Sequence, residues 1–342
     1  MENAQAGYDE RAEYFEEKLT LMLKVGVSDS IDPALLAKFP EGISLERIPS
    51  QPDREYEVDF WVVPLFEKTG KAVWPYLKGV RVAQACLAGI DWIRELLPHE
   101  VVLCDGQGIH TISTAEWAVT ATLAALKYLP FYFEMQREQS WSRRAQGQDH
   151  YSSLHPGNRP TYPPTLFEEM HGKKVLIVGY GSIGQAIEAR LLPFGVEVMR
   201  IARTAREGVA SVSQLPELLP QADVVILIVP QTKETVGLIG AKELALMKQG
   251  ALLVNAARGP VLDTDALLAA LNERRIHAAL DVTDPEPLPD GHPLWSAPNV
   301  LITPHIASST PMFIVRAMEL AAAQAGRYLR GEPLLNIVTG DY

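Results

Sequence analysis

Cysteine is nearly absent: Cys86 and Cys104 are the only two in 342 residues. Both lie in strand-like surroundings with no histidine or cysteine at ligand spacing, so they read as core residues, fit a reducing cytoplasm and give no reason to expect a metal. Long apolar runs are missing too. None approaches the roughly 18 residues needed to cross a bilayer, and the opening MENAQAGYDERAEYFEEK is polar and acidic, which predicts neither a secretory leader nor a membrane anchor. Positive charge is in short supply. The 31 Lys and Arg stand against 42 Asp and Glu, a net charge of −11, and this balance argues against nucleic acid as a general partner. One locally basic stretch, with Arg137, Arg143, Arg144 and Arg159, reads as a solvated loop. No repeat of fixed period is visible and hairpin signals are few, which leaves short strands alternating with helices as the organising pattern. With 47% hydrophobic and 21% charged residues, the composition is that of a soluble globular protein long enough for two domains.

What is present is centred on Lys173 to Arg206, KKVLIVGYGSIGQAIEARLLPFGVEVMRIARTAR. Val175, Leu176, Ile177 and Val178 form the continuous apolar run of a parallel strand buried on both faces. Gly179, Gly181 and Gly184 follow as G-x-G-x-x-G: one glycine for the tight turn, one for close approach of a pyrophosphate, one for packing of helix on strand. Ile183, Ile187, Leu191 and Leu192 recur at helical spacing, Pro193-Phe194-Gly195 stops the helix, and Val196 to Ala202 reads as the next strand. The glycine pattern alone is weak. Set between two strands and a helix, it predicts a dinucleotide whose phosphates rest on free N–H groups at the helix N-terminus.

In chain order, residues 1–18 read as a mobile acidic lead-in. LTLMLKVGV, VDFWVVPLF, VRVAQACLAGID and HEVVLCDG are strands of a small parallel sheet, with IDPALLAKFP a short helix. Ser113-Thr114-Ala115-Glu116 has the form of a capping box opening a long helix. Trp117, Thr120, Ala121, Ala124, Ala125 and Tyr128 share its apolar face, and Pro130 should end or kink it. Residues 141–170, with four prolines, read as a long surface loop. After the central unit, ADVVILIVP, GALLVNAARG, IHAALDV and VLITP supply four more strands, and a last helix runs from about Met312 to Leu329. The fold class is therefore α/β with two doubly wound parallel sheets. With no strand after it, the last helix could return to the first domain, around a dinucleotide-binding domain of 113–304.

Ligands bind outside the carboxyl ends of strands in such sheets, so polar residues placed there carry weight. Arg258 closes LLVNAARG, Glu286 follows LDVTDPEP and His305 follows LITPH. Singly, each has an ordinary structural reading. Together they are the parts needed to reduce a 2-oxo acid: a guanidinium to grip the carboxylate and polarise the keto oxygen, an imidazolium to donate the proton, a carboxylate to orient the imidazole. Asp281, at the end of another strand, is either a cofactor-side acid or a turn residue.

Taken in order, VGYGSIG (178–184), VPQTKETVGLIG (229–240), LLVNAARGPVLDTDAL (252–267), ALDVTDPEPLP (279–289) and PHIAS (304–308) resemble the D-isomer-specific 2-hydroxyacid dehydrogenases. The resemblance implies a dinucleotide-binding domain (113–304) inserted in a flavodoxin-like substrate domain made of both chain ends (19–112 and 305–342), and NAD(P)-dependent hydride transfer between a small 2-oxo acid and its D-2-hydroxy acid, as in glyoxylate/hydroxypyruvate reductases. Arg258 then binds substrate, Glu286 partners His305, and Asp281 contacts the nicotinamide end. It further implies cofactor contacts at Gly179, Gly181, Ser182, Ile183, Gly184, Val229, Pro230 and Ala256, and carboxylate binding by the backbone of Leu87, Ala88 and Gly89. Ala307-Ser308 replace the glycines usual after the histidine. A homodimer formed through the nucleotide domains would cover the Trp117–Tyr128 flank. Phosphite oxidation and a dinucleotide-sensing, corepressor-like interaction module are the alternatives; formate oxidation is disfavoured because formate dehydrogenases carry glutamine at the position of Glu286.

The choice of nicotinamide follows from one strand end. An NAD-preferring site carries Asp or Glu about 20 residues beyond the glycine motif, where this chain has Ala202. Arg203, Thr204 and Arg206 cluster where a 2′-phosphate would sit, so NADP is expected over NAD, with Glu207 as the competing ribose ligand.

Overall fold

All strand-to-strand ladders in the computed structural model are parallel, as the scarcity of hairpin signals predicts. The structure describes residues 22–87, 89–157 and 164–339; the acidic lead-in, Ala88 and Arg159 lie outside them. The chain forms two units, one running up to His110 and resuming at Thr310, the other Thr111–Ser309.

The first unit holds β1 (Leu23–Ser28), β2 (Ile43–Ile48), β4 (Phe60–Val62), β6 (Val82–Gln84) and β7 (Val102–Cys104) in the order β2-β1-β4-β6-β7. A two-residue ribbon of β3 (Tyr56–Glu57) and β5 (Leu77–Lys78) stands apart. Strand β2, ISLERI, escapes the sequence reading because it is only partly buried along most of its length and lacks an apolar run. The expected strand VRVAQACLAGID is shorter than predicted, since Asp91 already opens a helix to Leu96. Helix Met312–Leu329 completes this unit by packing Ala317, Met318, Ala321 and Ala325 against Val25, Val27, Phe60 and Val62. Its fully buried Gln324 donates to the Gln84 side chain (3.1 Å) and to the Leu335 carbonyl (2.7 Å).

The second unit carries β8 (Lys174–Val178), β9 (Glu197–Ala202), β10 (Ala210–Ser211), β11 (Val224–Leu227), β12 (Ala251–Asn255), β13 (Ile276–Leu280) and β14 (Val300–Ile302), ordered β10-β9-β8-β11-β12-β13-β14. Strands β11, β12 and β13 are buried at every residue, which is why they appear in the sequence as unbroken apolar runs. Strand order, not strand direction, reverses between β8 and β11, the switch point where doubly wound sheets bind ligands.

Three expectations need correction. The long helix begins at Thr111, so Ser113 and Glu116 lie inside it, and Glu116 faces Arg190 (3.7 Å) instead of capping. Most of its predicted flank is covered within the chain: Ala121 and Ala125 join Ile187, Leu191 and Val175 in one core cluster, Trp117 packs against it and Tyr128 is buried, while Thr120 is exposed. As expected, the long helix ends before Pro130, which lies in the first turn of the next helix, Leu129–Arg137. The stretch 141–170 is not all loop, because helix Gln146–Leu154 occupies it, anchored by fully buried Leu154 and by His150 edge-on to Tyr128. That contact uses polar and aromatic residues, so no apolar period marks it. Buried Glu168 then ties the segment down, accepting from Lys173 Nζ (2.7 Å) and Tyr128 OH (3.2 Å), with His155 Nε2 at 3.3 Å.

Candidate active site

The three glycines have separable tasks. Gly179, at φ +108°, has no room for a side chain: a Cβ would stand 2.4 Å from the Ile228 carbonyl oxygen. At Gly184 it would stand 2.4 Å from the Gly179 carbonyl oxygen, so the helix could not lie so close to the turn. At Gly181 a Cβ would meet nothing within 4 Å. The middle glycine therefore borders open space at the start of helix Ser182–Leu191, whose first N–H groups lack intrahelical acceptors. A pyrophosphate fits such a cradle.

Strand β9 ends at Ala202, and residues 203–208 are exposed. The chain turns back at Gly208 (φ +69°) through paired bonds between Arg206 and Val209 (3.0 and 2.8 Å). This turn sends the Arg206 guanidinium to the Tyr180 carbonyl oxygen (2.5 Å) and over the Tyr180 ring. Tyr180 also donates its hydroxyl to Glu188, which Arg200 grips through Nε (2.8 Å) and Nη2. The Arg200 hydrogen bonds hold the Glu188 carboxyl below its ordinary range, and burial together with the Glu188 bond pushes the Tyr180 phenol up. Arg203 lies near Glu234, whose carboxyl is lowered chiefly by the Thr232 hydroxyl and its own backbone, with a further contribution from the Arg203 charge.

Adjacent strands β12, β13 and β14 deliver the remaining groups. Asn255, at the end of β12, shapes the Arg258 loop by accepting from Ala257 N (3.0 Å) and donating to the Arg258 carbonyl (3.2 Å). Arg258 Nη1 donates to the Ala257 carbonyl (2.8 Å), and the guanidinium has no other hydrogen-bond or ion-pair partner among the described residues. Gly259 lets this loop lie directly on the next: a Cβ there would be 1.9 Å from the Thr283 carbonyl oxygen. Thr283 leads on to Glu286, whose Oε1 stands 2.5 Å from His305 Nδ1. With the carboxylate ionised, Nδ1 donates and Nε2 is left for a ligand. The two side chains remain 38% and 44% exposed, so the pair is accessible. Asp281, 2% exposed, accepts from Thr303 Oγ1 (2.6 Å), Ile306 N (2.9 Å) and Ala307 N (2.8 Å).

The model of the D-isomer specific 2-hydroxyacid dehydrogenase NAD binding domain matches residues 119–307. A glyoxylate reductase of Thermococcus litoralis is 32% identical over 312 residues, covering 88% of each chain. The chain belongs to the D-isomer-specific 2-hydroxyacid dehydrogenases. Among solved structures, such a dehydrogenase from Xanthobacter autotrophicus in complex with NADPH is 29% identical with a TM-score of 0.70, covering 92% of this chain and 98% of that one. A glyoxylate/hydroxypyruvate reductase of Sinorhizobium meliloti in complex with NADP and malonate is 25% identical (TM-score 0.67; 93% and 97% covered).

Within this dehydrogenase, His305 sits with the larger unit, not at the start of the returning segment as its expected boundary had it. Its backbone N–H bonds to the Asp281 carbonyl (2.7 Å), and the next two N–H groups bond to the Asp281 carboxylate. Val229, Pro230 and Ala256 follow the ends of β11 and β12, on the same side of the sheet as the glycine turn. Leu87 and Gly89 lie in the first unit, in the turn after β6, where the Leu87 carbonyl accepts from Gly106 N (2.8 Å). Tyr180, Asn255 and Thr303 were missed as supporting residues. Tyr180 and Asn255 lie inside motifs otherwise read for glycine and arginine, and Thr303, two before His305, was the one visible signal. No helix among the described residues is long and apolar enough to cross a membrane.

Proposed function

We propose that this dehydrogenase reduces small 2-oxo acids of the glyoxylate and hydroxypyruvate class to D-2-hydroxy acids, with NADPH as the preferred donor. The observation that carries the reading is the accessible His305–Glu286 pair, 2.5 Å apart, on the loops after β14 and β13, the latter packed against the Arg258 loop at Gly259. The names of the relatives as glyoxylate and glyoxylate/hydroxypyruvate reductases support the substrate class. Arg258 binds the substrate carboxylate and draws electron density from the keto oxygen. His305 Nε2 gives its proton to that oxygen, and Glu286 holds the ring by Nδ1 and stabilises its charge. The nicotinamide, when bound, supplies the hydride. The pyrophosphate of a bound dinucleotide would be held by the N–H groups of Gly181, Ser182 and Ile183, and the rest of the cofactor would lie along Val229, Pro230 and Ala256. The backbone of Leu87, Ala88 and Gly89 is assigned to the substrate carboxylate on the family resemblance.

Preference for NADPH is supported by Ala202 in place of an acid, by Arg203, Thr204 and Arg206 beyond it, and by the NADPH complex of the Xanthobacter neighbour. A homodimer is part of the proposal. With the Trp117–Tyr128 flank largely covered, its support is the exposed Leu129, Phe133 and Trp141. Free, buried Cys86 and Cys104 fit a cytoplasmic enzyme. The test is loss of reduced-nicotinamide absorbance with a panel of 2-oxo acids and both cofactors. Turnover of glyoxylate or hydroxypyruvate with NADPH is expected, and a flat trace across the panel overturns the reading.

A further inference from the structure

We infer that Tyr180, between the first two glycines of the turn, is a positioning residue for cofactor choice: its ring and its carbonyl oxygen hold the Arg206 guanidinium ready for a 2′-phosphate. The inference rests on the reading of the β9 end as an NADPH site. Arg206 stands in an exposed turn, a poor place to order a long side chain. Fixing an arginine only when a ligand arrives costs rotamer freedom and hence affinity, unless the protein has fixed it beforehand. Tyr180 does this twice over. Its carbonyl oxygen accepts from Arg206 Nη2 (2.5 Å), and the guanidinium carbon lies 5.8 Å from the centre of its ring, within reach of the negative π face. The other guanidinium N–H groups are left for an anion.

The ring is itself held. Tyr180 N donates to the Ile201 carbonyl (2.9 Å), which sets the glycine turn against the end of β9, and the side chain packs on the core cluster that includes Ile187 and Leu191. Its hydroxyl donates to Glu188, which is 7% exposed. Arg200 then decides which charge stays available. Its guanidinium carbon is 5.6 Å from the same ring centre, so two cations share one aromatic ring, and the buried carboxylate answers only one of them. Glu188 takes Arg200, through Nε (2.8 Å) and Nη2. No carboxylate pairs with Arg206 among the described residues, so an incoming phosphate meets an oriented cation that need not first be drawn out of an ion pair. A 2′-hydroxyl carries no charge and gains far less from it.

The experiment is a mutant cycle of Tyr180→Leu and Arg206→Ala in the full chain, read as dissociation constants of NADPH and NADH by titration calorimetry, so that it does not depend on turnover. Tyr180→Leu keeps the carbonyl and much of the bulk but removes the aromatic face. It is expected to weaken NADPH about fivefold relative to NADH, and to change that ratio no further in the Arg206→Ala background. Equal weakening of both cofactors, an unchanged ratio, or the same change in both backgrounds overturns the inference. Tyr180→Phe restores the face without the hydroxyl and should recover most of the preference; a ratio no better than that of Tyr180→Leu overturns it as well. If Tyr180→Leu does not fold, Tyr180→Met removes the face with a more adaptable side chain, and the same outcomes decide. A wild type that binds NADH more tightly than NADPH would instead remove the NADPH reading, a result the wild type shows by itself.

Discussion

His305 and Arg258 should fail in different ways when shortened. His305→Ala removes the proton donor, so turnover is expected to fall by about 100-fold or more with cofactor affinity intact. Arg258→Ala should raise KM for the 2-oxo acid and lower kcat together, because the guanidinium serves both ground state and transition state. Steady-state kinetics against fluorescence titration of NADPH checks both. Arg206 allows a sharper expectation. Its hold on the Tyr180 carbonyl fixes it beyond β9 with several donors left, and charge-assisted bonds to a 2′-phosphate are worth enough that Arg206→Ala should cut the NADPH:NADH ratio of kcat/KM by about tenfold. An unchanged ratio would move the selectivity elsewhere. Arg258, Glu286 and His305 were legible in the sequence because each ends a strand-like run in a chemically suggestive combination. The bonding of Asp281 was not, since nothing in a linear pattern shows that residues 281 and 303–307 share a turn.

The glycine turn and its helix make a prediction that separates folding from binding. Gly184→Ala would put a methyl 2.4 Å from the Gly179 carbonyl oxygen, a backbone atom that cannot swing aside, so a loss of stability on the order of 2 kcal/mol is expected in thermal melts. Gly181→Ala has open space and should melt near wild type, yet its methyl would project where the phosphates approach and should weaken NADPH. A Gly181→Ala variant with wild-type NADPH affinity would place the pyrophosphate elsewhere. This element was read correctly from sequence because strand, turn and helix each have a local signature. Strand β2 and helix Gln146–Leu154 were missed for the opposite reason: the first is an edge strand of mixed polarity, and the second is held by a histidine, a glycine and tertiary contacts to Tyr128 and Tyr132. Both depend on partners distant in sequence.

Across the whole molecule, acid should loosen the larger unit in two stages. Burial drives the His277 imidazole down to about 4, against the opposing pull of Glu168 at 3.7 Å and the Gly250 carbonyl at 2.9 Å. A buried neutral histidine binds fewer protons than the unfolded chain between pH 6.5 and 4, so stability present above 6.5 is lost through that window at up to about 1.4 kcal/mol per pH unit. Glu168 follows. Burial pushes its carboxyl up, but the His155 hydrogen bond and the Lys173 and His277 charges outweigh this and hold it at about 2, so its contribution is lost from about 4.5 down to 2. Melting temperature against pH should fall below 6.5, and His277→Gln should flatten the first stage; a curve level down to pH 4.5 contradicts the assignment. The proposed dimer is checked by light scattering, which should give about twice the 37.7 kDa chain mass.

The helix Met312–Leu329 has a consequence for synthesis on the ribosome. The larger unit is one unbroken stretch, Thr111–Ser309, and has all its strands once residue 309 has emerged. The first unit is made earliest and finished last, because Val25, Phe60 and Gln84 wait for Met318, Ala321 and Gln324. During translation its apolar strands must therefore stay uncovered for most of the chain's length, a window in which a chaperone that shields hydrophobic segments would find its target. A chain ending at Ser309 should keep slow amide exchange in β8, β11, β12 and β13 while losing it in β1 and β4. Uniform protection across both sheets would show that the first unit closes without its final helix.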